Sequence, residues 1–112
     1  MPGINTIEQG NTALTQIMRI ALTPAAVGAN TTAEQTFTVN GVQLNDFVVV
    51  NKPTTQAGIG IVGARASAAN QVAITFSNNT GGGITPTAGE LYLIVVMRAD
   101  ASNLPNFPSS IS

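Results

Sequence analysis

The chain lacks cysteine, histidine and tryptophan altogether, and it is poor in charge: Lys and Arg together number 4 and Asp and Glu together 5 among 112 residues. Each shortage removes a class of protein. Without cysteine no disulfide can staple the fold, and without cysteine or histidine the usual zinc and copper ligand sets cannot form. No Asp-rich loop gathers the oxygens that calcium takes. With 4 basic residues there is little to bind a phosphate backbone, whose contacts dominate nucleic-acid affinity. No apolar run approaches the roughly 20 residues of a spanning helix. Met1 to Gly10 has neither an apolar run nor a basic flank, so no signal peptide is expected. Aromatic residues are 4% of the chain, a thin supply for a sugar-stacking platform.

What is present points to β-structure. Hydrophobic residues are 44% of the sequence, chiefly Val, Ile, Leu and Ala with much Thr. Branched side chains pack well on a pleated surface, and clusters of Gly, Asn, Pro and Thr between them read as turns. The length suits one domain with one core. A typical soluble domain is roughly a quarter charged. A surface this neutral suits packing against other protein copies.

Thr12 to Thr23 reads as a strand ended by Pro24, with Leu14, Met18, Ile20 and Leu22 on one parity and Gln16 as the exception. A helix is the rival there, since Ala13, Ile17 and Ala21 are spaced by four. Glu34 to Val39 alternates. Asn40-Gly41 and Asn45-Asp46 are turn candidates. Phe47 to Asn51 is a short, almost wholly apolar strand, expected to be covered on both faces or to sit at a subunit contact. Ile59 to Arg65 is interrupted by Gly60 and Gly63, which suggests a bulge or a close backbone approach. Ser67 to Asn70 reads as a turn and Gln71 to Phe76 as an alternating strand. Asn78 to Gly89 is the main loop, and Leu91 to Arg98 is the last strand.

On that last strand Leu91, Leu93, Val95 and Met97 share one face and Tyr92, Ile94, Val96 and Arg98 the other. Both are largely apolar, so the core is expected on one side and another subunit on the other. The expected fold is all-β: an antiparallel β-sandwich of six or seven strands, jelly-roll-like, with extended arms. It divides into an N-terminal arm (1–11), a sandwich domain (12–98) and a C-terminal tail (99–112). The interface candidates are Arg65, Tyr92, Ile94, Val96 and Arg98, together with Leu104, Phe107 and Ile111 of the tail, which suit an arm lying in a neighbour's groove or else a tail that is frayed or folded back on its own domain.

The catalytic inventory is sparse. Glu8, Glu34, Asp46, Glu90 and Asp100 are scattered. Asp46 and Glu90 read as turn caps or solvated edge residues; a paired-carboxylate hydrolase would need the fold to bring them together. Lys52 reads as an exposed turn residue. The arginines Arg19, Arg65 and Arg98 are suited to carboxylate pairs with neighbouring strands or subunits. Gly81-Gly82-Gly83 lacks the Lys-Ser/Thr that completes a phosphate loop and reads as a flexible turn. Asn30-Thr31-Thr32 and Asn78-Asn79-Thr80 match the glycosylation pattern by chance in an Asn- and Thr-rich chain. No enzyme activity, cofactor, metal or small-molecule substrate is expected.

Four phrases are familiar: Gln35-Thr-Phe-Thr-Val-Asn-Gly41, Asp46-Phe-Val-Val-Val-Asn-Lys-Pro53, Gln56-Ala-Gly-Ile-Gly-Ile-Val-Gly-Ala-Arg65 and Ala88-Gly-Glu-Leu-Tyr92. Through them the stretch from Glu34 to Arg98 resembles small structural proteins encoded among the virion genes of tailed bacteriophages. The resemblance implies a capsid cement or decoration protein on the virion surface, made in the cytoplasm of a bacterial host. It implies a homo-oligomer, a trimer before a dimer, whose partner is the major capsid protein, and neither nucleic acid nor membrane. The alternative is a head-fibre or tail-associated module that binds a receptor or carbohydrate. The resemblance carries over no site residue.

Overall fold

The computed structural model describes residues 12–99. The N-terminal arm (1–11) and the tail candidates Leu104, Phe107 and Ile111 lie outside the described residues. Six strands are described: β1 (Thr12–Leu22), β2 (Thr31–Thr38), β3 (Phe47–Asn51), β4 (Ile59–Ala68), β5 (Gln71–Asn78) and β6 (Glu90–Ala99). They form two antiparallel three-stranded sheets, ordered β1-β6-β3 and β2-β5-β4. Only β4 and β5 are joined as a hairpin within one sheet; every other connection crosses between the layers.

Thr12–Leu22 is a strand and not a helix, because its two apolar periodicities are resolved by pairing. It aligns with β6 from Thr12 opposite Ala99 to Leu22 opposite Glu90, with a register shift between Thr12 and Leu14 that leaves Ala13 unpaired, and Pro24, itself buried, cannot continue the ladder. Asn30, Asn45 and Asn70 take positive φ (50°, 73° and 57°), a conformation that Asn tolerates far better than branched residues. These three asparagines, with Gly41 at φ 96°, set the corners. The Asn40-Gly41 turn does not close a hairpin, since β2 and β3 belong to different sheets. It is held instead by Asn70, whose side chain accepts from the Gly41 amide at 2.8 Å and whose own amide donates to the Val42 carbonyl at 2.7 Å.

The Ser67–Asn70 turn is shorter than expected. β4 runs on to Ala68, leaving Ala69-Asn70 as the link to β5. The irregularity expected at Gly60 and Gly63 is present as a register shift between Ile61 and Gly63, with a second between Ala66 and Ala68. The shift leaves Val62 beside the ladder and 64% exposed.

Between the sheets lies one core. Val48 and Val50 of β3, Val72, Ile74 and Phe76 of β5, and Tyr92, Ile94 and Val96 of β6 supply most of it, with Val27, Val39 and Val42 from the connections. Phe76, Ile74, Tyr92 and Ile94 are fully buried. Fully burying a side chain of this size stabilises by about 1.5–3 kcal/mol. Tyr92, Ile94 and Val96, expected at a subunit contact, therefore fill the protomer's own core. Their face of β6 looks inward, level with Val48 and Val50 on the next strand, because Val72, Ile74 and Phe76 of the other sheet close the core over it. The opposite face, Leu91, Leu93, Val95 and Met97, is the open one.

Candidate functional site

The open face of sheet β1-β6-β3 is the largest unexplained feature among the described residues. The register stacks its side chains in rows across three strands: Thr15, Met97 and Phe47; Ile17, Val95 and Val49; Arg19, Leu93 and Asn51; with Ala21 beside Leu91. Exposure reaches 66% at Ile17, 58% at Phe47, 55% at Leu91 and 41% at Val49. Leu93, Val95 and Met97 are half-buried between them. Arg19 is the one charged side chain of this face among the described residues. Phe47–Asn51 is thus buried within the protomer on one side only, at Val48 and Val50; of the two expectations for it, cover on both faces by its own fold is not met. Single exposed apolar residues are ordinary on a protein surface; a contiguous apolar patch is a feature shared by protein contact surfaces, ligand grooves and aggregation-prone faces.

The outer face of the other sheet is its opposite in chemistry. Thr32, Glu34, Thr36 and Thr38 of β2 align with Ser77, Thr75, Ala73 and Gln71 of β5, and β4 adds Gly60, Gly63 and Arg65 with one exposed apolar residue, Val62. Arg65 grips Glu34 through Nε at 2.8 Å and Nη2 at 3.0 Å across β5. This lowers the Glu34 pKa, chiefly through those hydrogen bonds, and raises that of Arg65. Both partners are solvent-exposed, and an exposed pair stabilises little. Arg65, an interface candidate by sequence, is therefore engaged within its own sheet. One outer face is built for water and the other is not.

Arg98 is likewise engaged inside the protomer. It donates to both carboxylate oxygens of Asp46, at 2.9 and 2.8 Å, and to the Gly41 carbonyl at 2.9 Å. Asp46 also accepts from the Gln43 amide at 2.9 Å, closing the turn before β3. Its pKa is lowered, first by the Arg98 hydrogen bonds, against a smaller opposing effect of burial. At the other end of β6, Glu90 accepts from Lys52 Nζ at 2.9 Å and from the Thr54 hydroxyl. Those bonds, Thr54 first, hold the Glu90 carboxyl below its usual range. Lys52 is not the exposed turn residue expected. Its side chain is 8% exposed and also donates to the Thr54 carbonyl at 3.0 Å. It borders a shallow cleft with Thr54, Gln56 and Ile61, but its ammonium is already committed to Glu90. Asp46 is bound to Arg98, and Glu90 lies eight residues earlier on that strand, a backbone separation of about 26 Å, so the two carboxylates sit at opposite ends of β6. They cannot share a substrate bond. Among the described residues no three Asp or Glu gather as a metal site.

Asn78 is the residue that sequence reasoning undervalued. It ends β5 at 1% exposure. Its amide donates to the Val27 carbonyl at 3.0 Å and the Gly82 carbonyl at 2.9 Å, and its oxygen accepts from the Thr80 amide at 2.9 Å and the Thr80 hydroxyl at 2.7 Å. Both donors and both lone pairs are used, so no amide hydrogen is left for a glycan. It fixes the Gly81-Gly82-Gly83 turn against the Val27–Ile84 bridge. The one signal available was its place between an alternating strand and a glycine run. Tyr92, the only tyrosine, is sealed in the core and cannot serve as an exposed platform; its hydroxyl has no hydrogen-bond partner among the described residues.

Comparison with protein-family models, with curated proteins and with solved structures finds no match to this chain.

Proposed function

We propose that this chain is a structural component of a virion, a capsid cement or decoration protein that oligomerises and stabilises contacts between major capsid proteins. The observation that carries the reading is the contrast, among the described residues, between the two outer faces: a Thr-rich face with its exposed charges paired, and an apolar face with a single charge. Cementing needs area and shape, not chemistry. A standard interface buries about 1,600 Å² in total, and repeated weak contacts around a closed shell add through avidity. A face nearly free of charge avoids burying unpaired ions.

We read the sandwich as a reduced jelly roll. First and last strands pair, second and fifth pair within them, and β3 and β4 pack together across the layers. That nesting is what a folded-over antiparallel ribbon produces, and jelly rolls recur in viral capsid proteins. The sugar-binding alternative loses its best aromatic, since Tyr92 is buried.

The test is binding of the full chain to purified heads of the tailed phage that encodes it, stripped of the protein. Saturable binding, with heads that survive higher temperature when loaded, is the expected result. Heads that neither bind the chain nor gain stability would refute it.

A further inference from the structure

We infer that β1 joins a second copy of this chain by antiparallel edge-to-edge pairing, its two-fold axis passing beside Ile17, so that two three-stranded sheets become one of six strands. The reason lies in how the four sheet edges are finished. β3 is a five-residue edge followed by Lys52-Pro53. β4 is broken by two register shifts. β2 carries Glu34 and is tied through Gln35 to the Ala25 backbone, donating at 2.9 Å and accepting at 2.8 Å. Charges, bulges and short length are the devices by which edges avoid pairing. β1 is the least protected of the four among the described residues: it is 11 residues long, its one irregularity lies at its start between Thr12 and Leu14, its register is regular from Leu14 to Leu22, and it holds one charge, Arg19, and no proline.

β1 is also incompletely covered from within. It packs on β6 and on no other strand to a comparable extent. Of its inward residues only Leu22 is buried; Leu14, Met18 and Ile20 are half-exposed and Gln16 is exposed. A neighbouring strand on its free side would flank each of them.

The sequence selects the register. With Ile17 at the centre the regular part of β1 pairs Leu14 with Ile20 of the second copy, Thr15 with Arg19 and Gln16 with Met18, and about six to eight backbone hydrogen bonds form. Thr15 then faces Arg19 of the second copy, so the two arginines are not opposed, as like charges opposite each other destabilise a sheet. Ile17 meets its own copy. The row Val49, Val95, Ile17 continues unbroken into its symmetry mate, which doubles the apolar face. The contact is isologous and therefore closes at two copies, leaving no open edge on β1.

This inference rests on the edge, not on the virion reading, and is tested without any capsid. The chain has no cysteine, so single cysteines report pairing cleanly. Opposite residues of an antiparallel pair lie about 4.5–5.5 Å apart between Cα atoms, within disulfide range. Ile17→Cys is expected to oxidise to a covalent dimer. Thr15→Cys and Arg19→Cys are each expected to remain uncross-linked alone but to link when mixed. Light scattering of the unmodified full chain is expected to give twice the 11.4 kDa protomer mass, or an even multiple of it. A monomer at every concentration, a trimer, or equal cross-linking at positions 15, 17 and 19 would overturn the pairing. Dimers that fail to bind heads would leave it standing and refute the cement reading alone.

Discussion

Replacing Phe47 and Leu91 together by serine probes the apolar face from two strands while sparing the core. The two side chains are 58% and 55% exposed, so little packing within the protomer is lost. The unfolding free energy of the isolated chain should change by less than about 1 kcal/mol, the usual range for changes outside a core. An assembly that covers the face loses more. Full burial of a large apolar side chain is favourable by about 1.5–3 kcal/mol, and rather more than half of each surface is still available. The pair should therefore weaken association by about 2–3 kcal/mol. Leu91 lies opposite Ala21 and Phe47 opposite Met97, roughly 20 Å apart along β6, so the two effects should add. At about 1.4 kcal/mol per tenfold, affinity for stripped heads should fall about 30- to 150-fold. The assay is a binding isotherm on heads with thermal unfolding of the free protein alongside. Val62→Ser, equally exposed but on the other sheet, serves as the control and should bind as the parent does. If the double variant binds heads as tightly as the parent while keeping its stability, the apolar face is not the contact.

Asn78→Ala leaves the Val27 and Gly82 carbonyls and the Thr80 amide without their partner; a loss of about 2–3 kcal/mol is expected in denaturant unfolding, with faster hydrogen exchange at Thr80 and Gly82. Tyr92→Phe removes a buried hydroxyl that has no partner among the described residues and should leave the melting temperature unchanged or raise it; a clear drop would mean the hydroxyl is bonded. Asp46→Asn keeps the shape but loses the charge that Arg98 grips, and should cost about 2 kcal/mol. The Asp46, Glu90 and Glu34 carboxyls all have folded pKa values below their ordinary ones. Their contribution is therefore complete above the unfolded carboxylate range and is lost as pH falls through the lowered folded values, so stability should be flat above about pH 5 and decline below about pH 4. Thermal melts across pH 2–7 check this, and Asp46→Asn should show a shallower acid decline than the parent.

Local pattern carried much of the fold. The Thr and branched aliphatic content determined β-structure, the period of two determined which residues share a face, and Asn45, Asn70 and Gly41 marked corners because few other side chains accept positive φ. Those are near-neighbour properties, written in the chain within a few residues. Which face of a strand looks inward is not. On β6 both parities are apolar, and nothing local separates Tyr92, Ile94 and Val96 from Leu91, Leu93 and Val95. The choice is made by the sheet β2-β5-β4, whose Val72, Ile74 and Phe76 cover the first set from across the sandwich. The same holds for the charges. Lys52 with Glu90 and Asp46 with Arg98 are 38 and 52 residues apart in sequence and meet only because β3 lies beside β6, a pairing no local spacing encodes. Asn78 looked like a loop residue until the Val27 connection, brought in from β1, closed over it. The sequence determined that β6 carries apolar residues on both of its faces; the tertiary structure decided which of them is open among the described residues, because burial is settled by partners distant along the chain.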